Sequence, residues 1–310
     1  MRFLIPLVLA AIFHGCATQS PSPLPATVPT IIAHRGASGH APENTLAAFR
    51  LATESGADFF ELDCHLTKDG QVAILHDADL EKTAGLKVNI ADLTLAEAQQ
   101  HDVGSWFSAD FSAERIPTLA QSLDVATEDC GVYVEIKSQA GDGAASAALV
   151  QASVGETTLT DTLRDELLAL AATFDTRSME LTRACIADIR AKRMERRVVI
   201  QSFSPLQCFI ARVEAPDIRT ELLLSDDKEN PAHFDLVAAF GLLIGVEGVN
   251  VSKGSLTPER LARLQEAGKT VAVYTVNEPA DMRHFATMGV NAIITDFPRE
   301  CRAALTNPAQ

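Results

Sequence analysis

The chain has 310 residues, of which 47% are apolar, and its formal net charge is −15 at pH 7. This length and composition suffice for one large α/β domain, or for two smaller ones, with a sizeable hydrophobic core. The acidic balance, without any run of five Lys or Arg residues, excludes the basic surface on which nucleic-acid binding depends. We therefore expect a metal cation or a small phosphorylated molecule as the charged partner, and no nucleic acid.

The first 30 residues have the pattern of an export signal followed by a spacer. The apolar run at residues 3–13 is too short to span a bilayer as a helix, which takes about 20 residues, but it is typical of a signal peptide. It leads to Gly15-Cys16, which resembles a bacterial lipobox. We expect residues 1–15 to be a lipoprotein-type signal peptide, Cys16 to carry a lipid anchor and residues 16–30 to form a Pro-rich tether. This predicts a protein of the bacterial cell envelope, on the periplasmic side, with plain secretion or an unprocessed anchor as the alternatives.

The cysteines beyond the tether form no recognisable metal or disulfide pattern. They are odd in number and include no CxxC pair: Cys64, Cys130, Cys185, Cys208 and Cys301. This spacing is unlike that of a zinc site or a small disulfide framework. We expect buried thiols, with one disulfide in an oxidising compartment as the open alternative.

Apolar β-rich runs alternate with helical patterns from residue 31 to the end of the chain. The nine candidate strands are residues 31–34, 59–66, 72–76, 132–137, 198–203, 220–224, 248–251, 270–276 and 292–296. Near-continuous apolar strands separated by helices predict a parallel sheet that is buried on both faces. The Asp69-Gly70 hairpin signal leaves the second and third strands without a helix between them. We expect one domain, residues 31–310, folded as a distorted (β/α)8 barrel with one minor strand. A doubly wound open sheet is the alternative, but no GxGxxG motif follows the first strand.

Two stretches interrupt this alternation of strands and helices. Residues 78–116, after the third strand, contain a capping-box pattern at Thr94 and Glu97 and are expected to form an insertion that caps the substrate. Residues 138–197 begin rich in Gly, Ala and Ser and continue as one or two amphipathic helices. For this longer stretch a solvated helical face is favoured over a dedicated binding surface.

Three acidic residues fall on predicted strands, near the ends that a (β/α)8 barrel gathers at its catalytic edge. Glu61 and Asp63 are two apart on one strand, so their side chains point to the same side. Glu135 lies on a later strand, with Lys137 on the same side as Glu135. Buried anions repel one another unless a cation lies between them. The carboxylates therefore predict a site for one hard divalent cation, Ca²⁺ or Mg²⁺, with surface salt bridges as the alternative.

Two histidines end the first and third predicted strands. Cleavage of a phosphodiester needs a base for the nucleophile and an acid for the leaving alkoxide, and His34 and His76 can supply both. A structural role is the alternative for each histidine taken alone. Arg35 can bind phosphate oxygens through its planar fork, and Lys137 can do so as a point charge. Asp77 either orients His76 or caps the following loop.

Ten short motifs, in order over residues 31–300, resemble those of the glycerophosphodiester phosphodiesterase family. They are His34-Arg35-Gly36-Ala37, Pro42-Glu43-Asn44-Thr45, Glu61-Leu62-Asp63, Asp69-Gly70, His76-Asp77, Ile116-Pro117-Thr118-Leu119, Glu135-Ile136-Lys137, Gln201-Ser202-Phe203, Thr275-Val276-Asn277 and Thr295-Asp296-Phe297-Pro298. Any one of these motifs is weak evidence, but ten in register over nearly the whole chain are specific.

The resemblance implies a (β/α)8 barrel and the metal-dependent hydrolysis of glycerophosphodiesters, such as glycerophosphocholine or glycerophosphoethanolamine, to sn-glycerol 3-phosphate and an alcohol. Tyr274 stands where the family often has Trp. The site residues that the resemblance implies are Glu61, Asp63 and Glu135 as ligands of one Ca²⁺ or Mg²⁺, His34 and His76 as the acid/base pair, Arg35 and Lys137 for the phosphate, and Gln201, Phe203 and Tyr274 for the rest of the substrate pocket.

Two alternatives from other functional classes stay open at this point. One is a phosphodiester lyase or transferase that stops at a cyclic phosphate, as in the related spider-toxin phospholipase D group. The insertion after His76 is typical of the family and favours a small glycerol-containing substrate instead. The other alternative is a non-catalytic envelope lipoprotein that binds glycerophosphodiesters, which would be expected to lack a histidine or a metal carboxylate. The sequence makes no prediction of oligomeric state.

Overall fold

The computed structural model describes residues 28–306, so the predicted signal peptide, Cys16 and most of the tether lie outside the described residues. The strands are β1 (Thr30–Ala33), β2 (Phe59–Leu66), β3 (Val72–Ile74), β4 (Asp79–Leu80), β5 (Leu86–Asn89), β6 (Gly131–Ile136), β7 (Val198–Ser202), β8 (Arg219–Leu224), β9 (Gly248–Ser252), β10 (Thr270–Tyr274) and β11 (Ala292–Thr295). The α-helices are α1 (Leu46–Glu54), α2 (Glu81–Ala84), α3 (Leu95–Ala98), α4 (Leu119–Leu123), α5 (Asp142–Ala152), α6 (Asp161–Ala171), α7 (Ser178–Ala191), α8 (Pro205–Glu214), α9 (His233–Leu243), α10 (Pro258–Glu266), α11 (Pro279–Met288) and α12 (Pro298–Thr306).

Eight parallel strands close into a barrel. They pair in the order β1, β2, β6, β7, β8, β9, β10 and β11, and β11 returns to β1. The predicted (β/α)8 barrel is confirmed, and the open sheet is wrong because β1 pairs with β2 on one side and with β11 on the other. The ninth predicted strand is β3, which pairs with β2 in the antiparallel sense outside the ring.

The barrel strands form where the sequence is apolar and β-branched, and helices cover them on the outside. In α1, for example, Phe49 is fully buried and its ring stacks on Phe60 of β2 with 4.8 Å between ring centroids. Thr45 caps the N-terminus of α1 by accepting a hydrogen bond from the Ala48 N–H. Pro205 similarly begins α8 at a position where no intrahelical N–H bond is lost. The result is a closed sheet whose eight parallel strands all end at one edge.

The insertion after β3 folds as a small unit with its own apolar core. It contains the antiparallel pair β4 and β5, and Leu80, Ile90 and Val103 are buried within it. The capping-box pattern of Thr94 and Glu97 is formed at the start of α3. The insertion therefore has a hydrophobic cluster of its own, separate from those of the barrel.

Three helices, α5 to α7, occupy the long stretch between β6 and β7. The Gly/Ala/Ser-rich start of this stretch forms the helix α5, whereas one or two helices were expected only after it. Alanine has the highest helix propensity, and Ala145 and Leu149 bury one face of α5 in the core.

The five cysteines beyond the tether are all buried and free of disulfide bonds. Within residues 28–306, the helices are too short or too polar for any of them to cross a bilayer.

Candidate functional site

The predicted site residues converge on one pocket at the C-terminal ends of the barrel strands. The cavity measures about 180 Å³. Asp63 is buried beside it, whereas the other predicted residues line it: His34, Arg35, Glu61, His76, Glu135, Lys137, Gln201, Phe203 and Tyr274. Residues up to 240 positions apart in the sequence thus share one site, because the closed barrel brings its strands and the segments that follow them to one edge.

Three buried carboxylates lie together at this edge. Glu61 and Asp63 are each 1% exposed and Glu135 is 8% exposed. The parallel register of β2 and β6 sets Asp63 directly beside Glu135. Each residue offers a carboxylate oxygen, and these oxygens all lie within 4.8 Å of one another. Burial, together with the negative charges of Asp63 and Glu135, raises the pKa of Glu61 well above its usual value.

Two cations partly offset these negative charges. The ammonium of Lys137 donates to Glu135 Oε1 at 2.7 Å and lies 3.3 Å from Asp63 Oδ1. Arg35 Nε lies 3.5 Å from Asp63 Oδ2. Burial by itself would raise the pKa of Asp63, but the charges of Lys137 and Arg35 outweigh it and lower that pKa. Among the described residues Glu61 makes no comparable contact with a cation, and its pKa is raised well above the usual value, whereas that of Asp63 is lowered.

A strained turn after β1 presents Arg35 to the carboxylates. Arg35 has φ of 54° and Gly36 has φ of 81°, both in the left-handed region. A Cβ atom on Gly36 would lie 2.6 Å from the Ala48 carbonyl carbon, so this position accepts only glycine. The turn directs the Arg35 N–H to Glu61 Oε2 at 2.7 Å. The backbone conformation thereby fixes the orientation of a predicted metal ligand.

His34 is held by an acidic residue that directly follows the last barrel strand. Its Nδ1 donates to Asp296 Oδ1 at 2.7 Å. Asn277 at 2.6 Å and Ser38 at 2.8 Å also donate to the Asp296 carboxylate. Burial opposes ionisation of Asp296, but these bonds and the bond from His34 lower its pKa to about 2. An ionised Asp296 can only accept, so it places the His34 proton on Nδ1 and leaves Nε2 for the substrate.

His76 is oriented by the residue that follows it. Its Nδ1 donates to Asp77 Oδ1 at 2.8 Å. Of the two roles expected for Asp77, orienting His76 or capping the following loop, this contact supports the first. His65 donates from Nε2 to the backbone carbonyl of His76 at 3.0 Å, which holds the main chain at this point. Burial and the charge of Lys137 lower the pKa of His76 against the opposing effect of Asp63.

Sequence reasoning gave no role to several residues that shape this site. Asn44 donates to Asp63 Oδ2 at 2.8 Å and accepts from the Asp63 N–H at 3.1 Å. Glu43 accepts from Arg35 Nη1 at 3.1 Å and from Lys82 Nζ of the insertion at 2.6 Å. Asn44 and Glu43, like Asp296, stand in the motifs that carry the family resemblance, and this was the signal that could have identified them.

The three residues predicted for the rest of the pocket differ in what they do. Gln201 is buried, donates weakly to Glu61 Oε1 at 3.4 Å and accepts from Asn250 at 2.7 Å, so it supports the carboxylates. Phe203 is 42% exposed, and its ring meets that of Tyr274 edge to face at 5.9 Å between centroids. The Tyr274 hydroxyl donates to the Leu224 carbonyl at 3.0 Å. The two rings form an apolar wall of the cavity.

Comparisons with known proteins agree with this arrangement. Residues 34–300 match the sequence profile of the Glycerophosphoryl diester phosphodiesterase family. A glycerophosphodiester phosphodiesterase of Caldanaerobacter subterraneus subsp. tengcongensis is 30% identical over 270 residues, which cover 86% of this chain and 94% of that protein. The solved glycerophosphodiester phosphodiesterase of Agrobacterium tumefaciens strain C58 is 25% identical, with a TM-score of 0.61 over 89% of this chain and 99% of the other. A phosphodiesterase of Oleispira antarctica, solved with its product sn-glycerol-3-phosphate, is 22% identical, with a TM-score of 0.68 over 90% of this chain and 97% of the other.

Proposed function

The chain belongs to the glycerophosphoryl diester phosphodiesterase family and is an enzyme of that class; on this premise we propose that it hydrolyses glycerophosphodiesters, such as glycerophosphocholine and glycerophosphoethanolamine, to sn-glycerol 3-phosphate and an alcohol. The observation that carries this proposal is one pocket that combines two carboxylate-oriented histidines with three buried carboxylates and a guanidinium. Cleavage of a phosphate diester requires proton transfer at the attacking and the leaving oxygen, and neutralisation of the phosphate charge. The histidines can supply the first and the guanidinium the second.

The carboxylate cluster fits a hard divalent cation, either Ca²⁺ or Mg²⁺. Glu61, Asp63 and Glu135 would hold it, since they supply oxygen ligands and their charges exceed those of the neighbouring cations. Such a cation neutralises the carboxylates and acts as a Lewis acid towards phosphate oxygens.

The side chains of this protein perform the remaining steps. Arg35 and Lys137 face the pocket and bind the phosphate oxygens on which charge accumulates. One of the two histidines takes the proton of the attacking oxygen, which belongs to water or to the neighbouring glycerol hydroxyl. The other histidine gives its proton to the departing alkoxide. Asp296 and Asp77 hold the two imidazoles in the tautomer that leaves Nε2 available.

Release of choline from glycerophosphocholine tests the proposed reaction. We expect turnover with Ca²⁺ or Mg²⁺, none after treatment with a chelator, and recovery when the cation is returned. Phosphorus NMR during turnover separates hydrolysis from the lyase alternative, because a lyase would leave cyclic glycerophosphate as its final product. Absence of turnover with either cation, in a protein with an intact melting transition, would contradict the proposal and favour the binding-only alternative.

For the location, we propose a lipid-anchored protein of the bacterial cell envelope that faces the periplasm. The support is the sequence pattern of residues 1–15 and Cys16, which lie outside the described residues. Mass spectrometry of the mature N-terminus should find diacylglycerol on Cys16, and globomycin should block processing. An unmodified mature chain that begins beyond Cys16 would indicate plain secretion.

A further inference from the structure

Lys82, in the short helix α2 of the insertion, carries an ammonium that contacts the barrel domain outside the insertion. Its Nζ donates to Glu43 Oε2 at 2.6 Å. Glu43 stands in the loop between β1 and α1, and its side chain is only 11% exposed. The two residues are 39 positions apart in the chain. Their bond therefore joins the insertion to the loop that follows the first barrel strand.

The same carboxylate holds the guanidinium that faces the catalytic pocket. Glu43 Oε1 accepts from Arg35 Nη1 at 3.1 Å. Arg35 Nε lies 3.5 Å from Asp63 Oδ2, so carboxylates contact the guanidinium on two sides. Because the guanidinium is planar, these two contacts fix its orientation. Its remaining N–H groups are available to a ligand in the pocket that Arg35 lines.

Lys82 determines how many oxygens Glu43 can offer to Arg35. A carboxylate with both oxygens free binds arginine in a bidentate geometry, which is stronger and more specific than a single hydrogen bond. With Lys82 on Oε2, Glu43 offers Arg35 one oxygen only. Without Lys82, Glu43 would bind two N–H groups of Arg35 and compete with the phosphate for them.

An aromatic residue of the insertion holds the ammonium of Lys82 in place. Nζ lies 5.5 Å from the centre of the Trp106 ring, which is within the range of a cation–π interaction. The Trp106 indole N–H donates to the Val103 carbonyl at 2.9 Å, and Val103 is buried in the apolar core of the insertion. Although the Lys82 side chain is 43% exposed, it is thus constrained both by a carboxylate and by a ring.

Lys82 and Glu43 lie outside the set of described residues that line the catalytic pocket, whereas Arg35 belongs to it. Any effect of Lys82 on a ligand of that pocket therefore passes through Glu43. We propose that Lys82 is a positioning residue for Arg35: it occupies one oxygen of Glu43 and so keeps the guanidinium available to the phosphate. This inference rests on the function proposed above, in which Arg35 binds the phosphate.

The test measures two binding quantities in the full-length protein with Ca²⁺ or Mg²⁺: the Kd of sn-glycerol 3-phosphate by isothermal titration calorimetry, and the KM for glycerophosphocholine by choline release. Lys82→Met removes the charge but keeps an unbranched side chain. We expect it to raise Kd and KM by about three- to tenfold, as for a charge-assisted contact that is partly exposed. Lys82→Arg keeps a cation for Glu43 and should return both quantities to within about twofold of the wild type.

Lys87→Met is the matched control. Lys87 lies in β5 of the same insertion, is 81% exposed and pairs with Glu81 at 3.2 Å. Its substitution removes an equal charge from the insertion and should leave Kd and KM at the wild-type values. Equal losses of affinity in Lys82→Met and Lys87→Met would overturn the proposal, because they would indicate a general attraction of the insertion for anions.

A double-mutant cycle tests whether Lys82 acts through Glu43. In a Glu43→Gln background, Lys82→Met should change Kd by less than about twofold, because the charged acceptor of Lys82 is gone. An undiminished effect of Lys82→Met in that background would overturn the proposal and place Lys82 in direct contact with the ligand. A lowered Tm with an unchanged Kd would also overturn it, because Lys82 would then only fasten the insertion to the barrel.

These outcomes are distinguishable from those that test the proposed function. Choline release by the wild type, together with an unchanged Kd in Lys82→Met, would overturn the role of Lys82 and leave the proposed function standing. Binding of sn-glycerol 3-phosphate without choline release would overturn the proposed function, and the Kd values would still test Lys82. A wild type that neither binds this phosphate ester nor releases choline would overturn both proposals.

Discussion

Buried carboxylates occupy both ends of the barrel, but only the N-terminal end balances them. There Glu221 accepts a hydrogen bond from Arg219 Nε at 2.7 Å and another from the Tyr133 hydroxyl at 3.4 Å. Burial raises the pKa of Glu221, and the adjacent Arg219 charge opposes that rise. One carboxylate therefore meets one cation and a hydroxyl at this end of the barrel.

The C-terminal end gathers three carboxylates around two cations and leaves the negative charge in excess. Glu61 has the least compensation, and its pKa is raised well above the usual value. Protein stability alone would not favour such a cluster, because buried like charges repel. The same barrel thus contains a compensated carboxylate at one end and, at the other, an uncompensated cluster where we propose that a cation and a phosphate bind.

Removal of either candidate acid/base group should have the largest effect on activity. His34→Ala and His76→Ala are each expected to lower kcat for glycerophosphocholine by about 10²- to 10⁴-fold, the usual contribution of proton transfer by a positioned group. His40→Ala is the matched control, because His40 is exposed and pairs with Glu300 at 2.8 Å outside the pocket. Near wild-type kcat in either of the first two variants would contradict the acid/base assignment.

A divalent cation should stabilise the protein through the carboxylates at the C-terminal end of the barrel and not through Glu221 at the N-terminal end. A ligand at 100 times its Kd stabilises a protein by about 2.7 kcal/mol, so Ca²⁺ or Mg²⁺ should raise the Tm of the wild type. Glu61→Gln should abolish that rise because it removes one of the three ligands, whereas Glu221→Gln should retain it. An equal rise in Tm for Glu61→Gln and the wild type would place the cation elsewhere.

Loss of the acidic partner of His34 should reduce activity less than loss of His34 itself. Asp296→Asn cannot enforce the Nδ1–H tautomer, and substitutions of such supporting groups cost about 10- to 100-fold in activity. Ser38→Ala removes one of the bonds to Asp296 but keeps the carboxylate, so its kcat should lie between those of Asp296→Asn and the wild type. If Asp296→Asn retained wild-type kcat, orientation of His34 by Asp296 would be unnecessary.

The smallest effect on activity is expected at the balanced end of the barrel. Glu221→Gln weakens a charge-assisted hydrogen bond to Arg219 and should lower the free energy of unfolding by about 1–3 kcal/mol. Its kcat and kcat/KM should equal those of the wild type, because Glu221 bonds to Arg219 and Tyr133 and does not line the catalytic pocket. Urea denaturation measures the free energy of unfolding, and a choline-release assay measures the activity. A loss of activity without a loss of stability would contradict the structural role of Glu221.

Much of the fold follows from local signals that the sequence displays. Apolar runs such as residues 59–66 and 198–202 are strands because only a sheet covered on both faces buries them fully. The Asp69-Gly70 turn sets β3 antiparallel to β2, as the missing crossover helix predicted. The helix α5 was less visible, because its Gly, Ala and Ser residues also suit a loop and its helical state depends on packing against the barrel.

The candidate site was predictable to the extent that its residues stand at strand ends. Glu61 and Asp63 share a side because residues two apart on a strand do so, and Glu135 joins them through the register of β2 and β6. The partner of His34 was not predictable from spacing, since Asp296 lies 262 residues away. The family motifs contain Asp296, but a motif does not state which side chains touch.

The sequence by itself determined the order of strands and helices, the chemical types of the site residues and the strand ends at which they stand. These features depend on local periodicity and turn chemistry, which act over a few residues. Only the tertiary structure decided that Asp296 holds His34, that Glu221 is balanced while Glu61 is not, and that Lys82 of the insertion bonds to Glu43. The contact between His34 and Asp296 joins distant segments because β11 closes the barrel against β1, and the contact between Lys82 and Glu43 joins the insertion to the loop after β1.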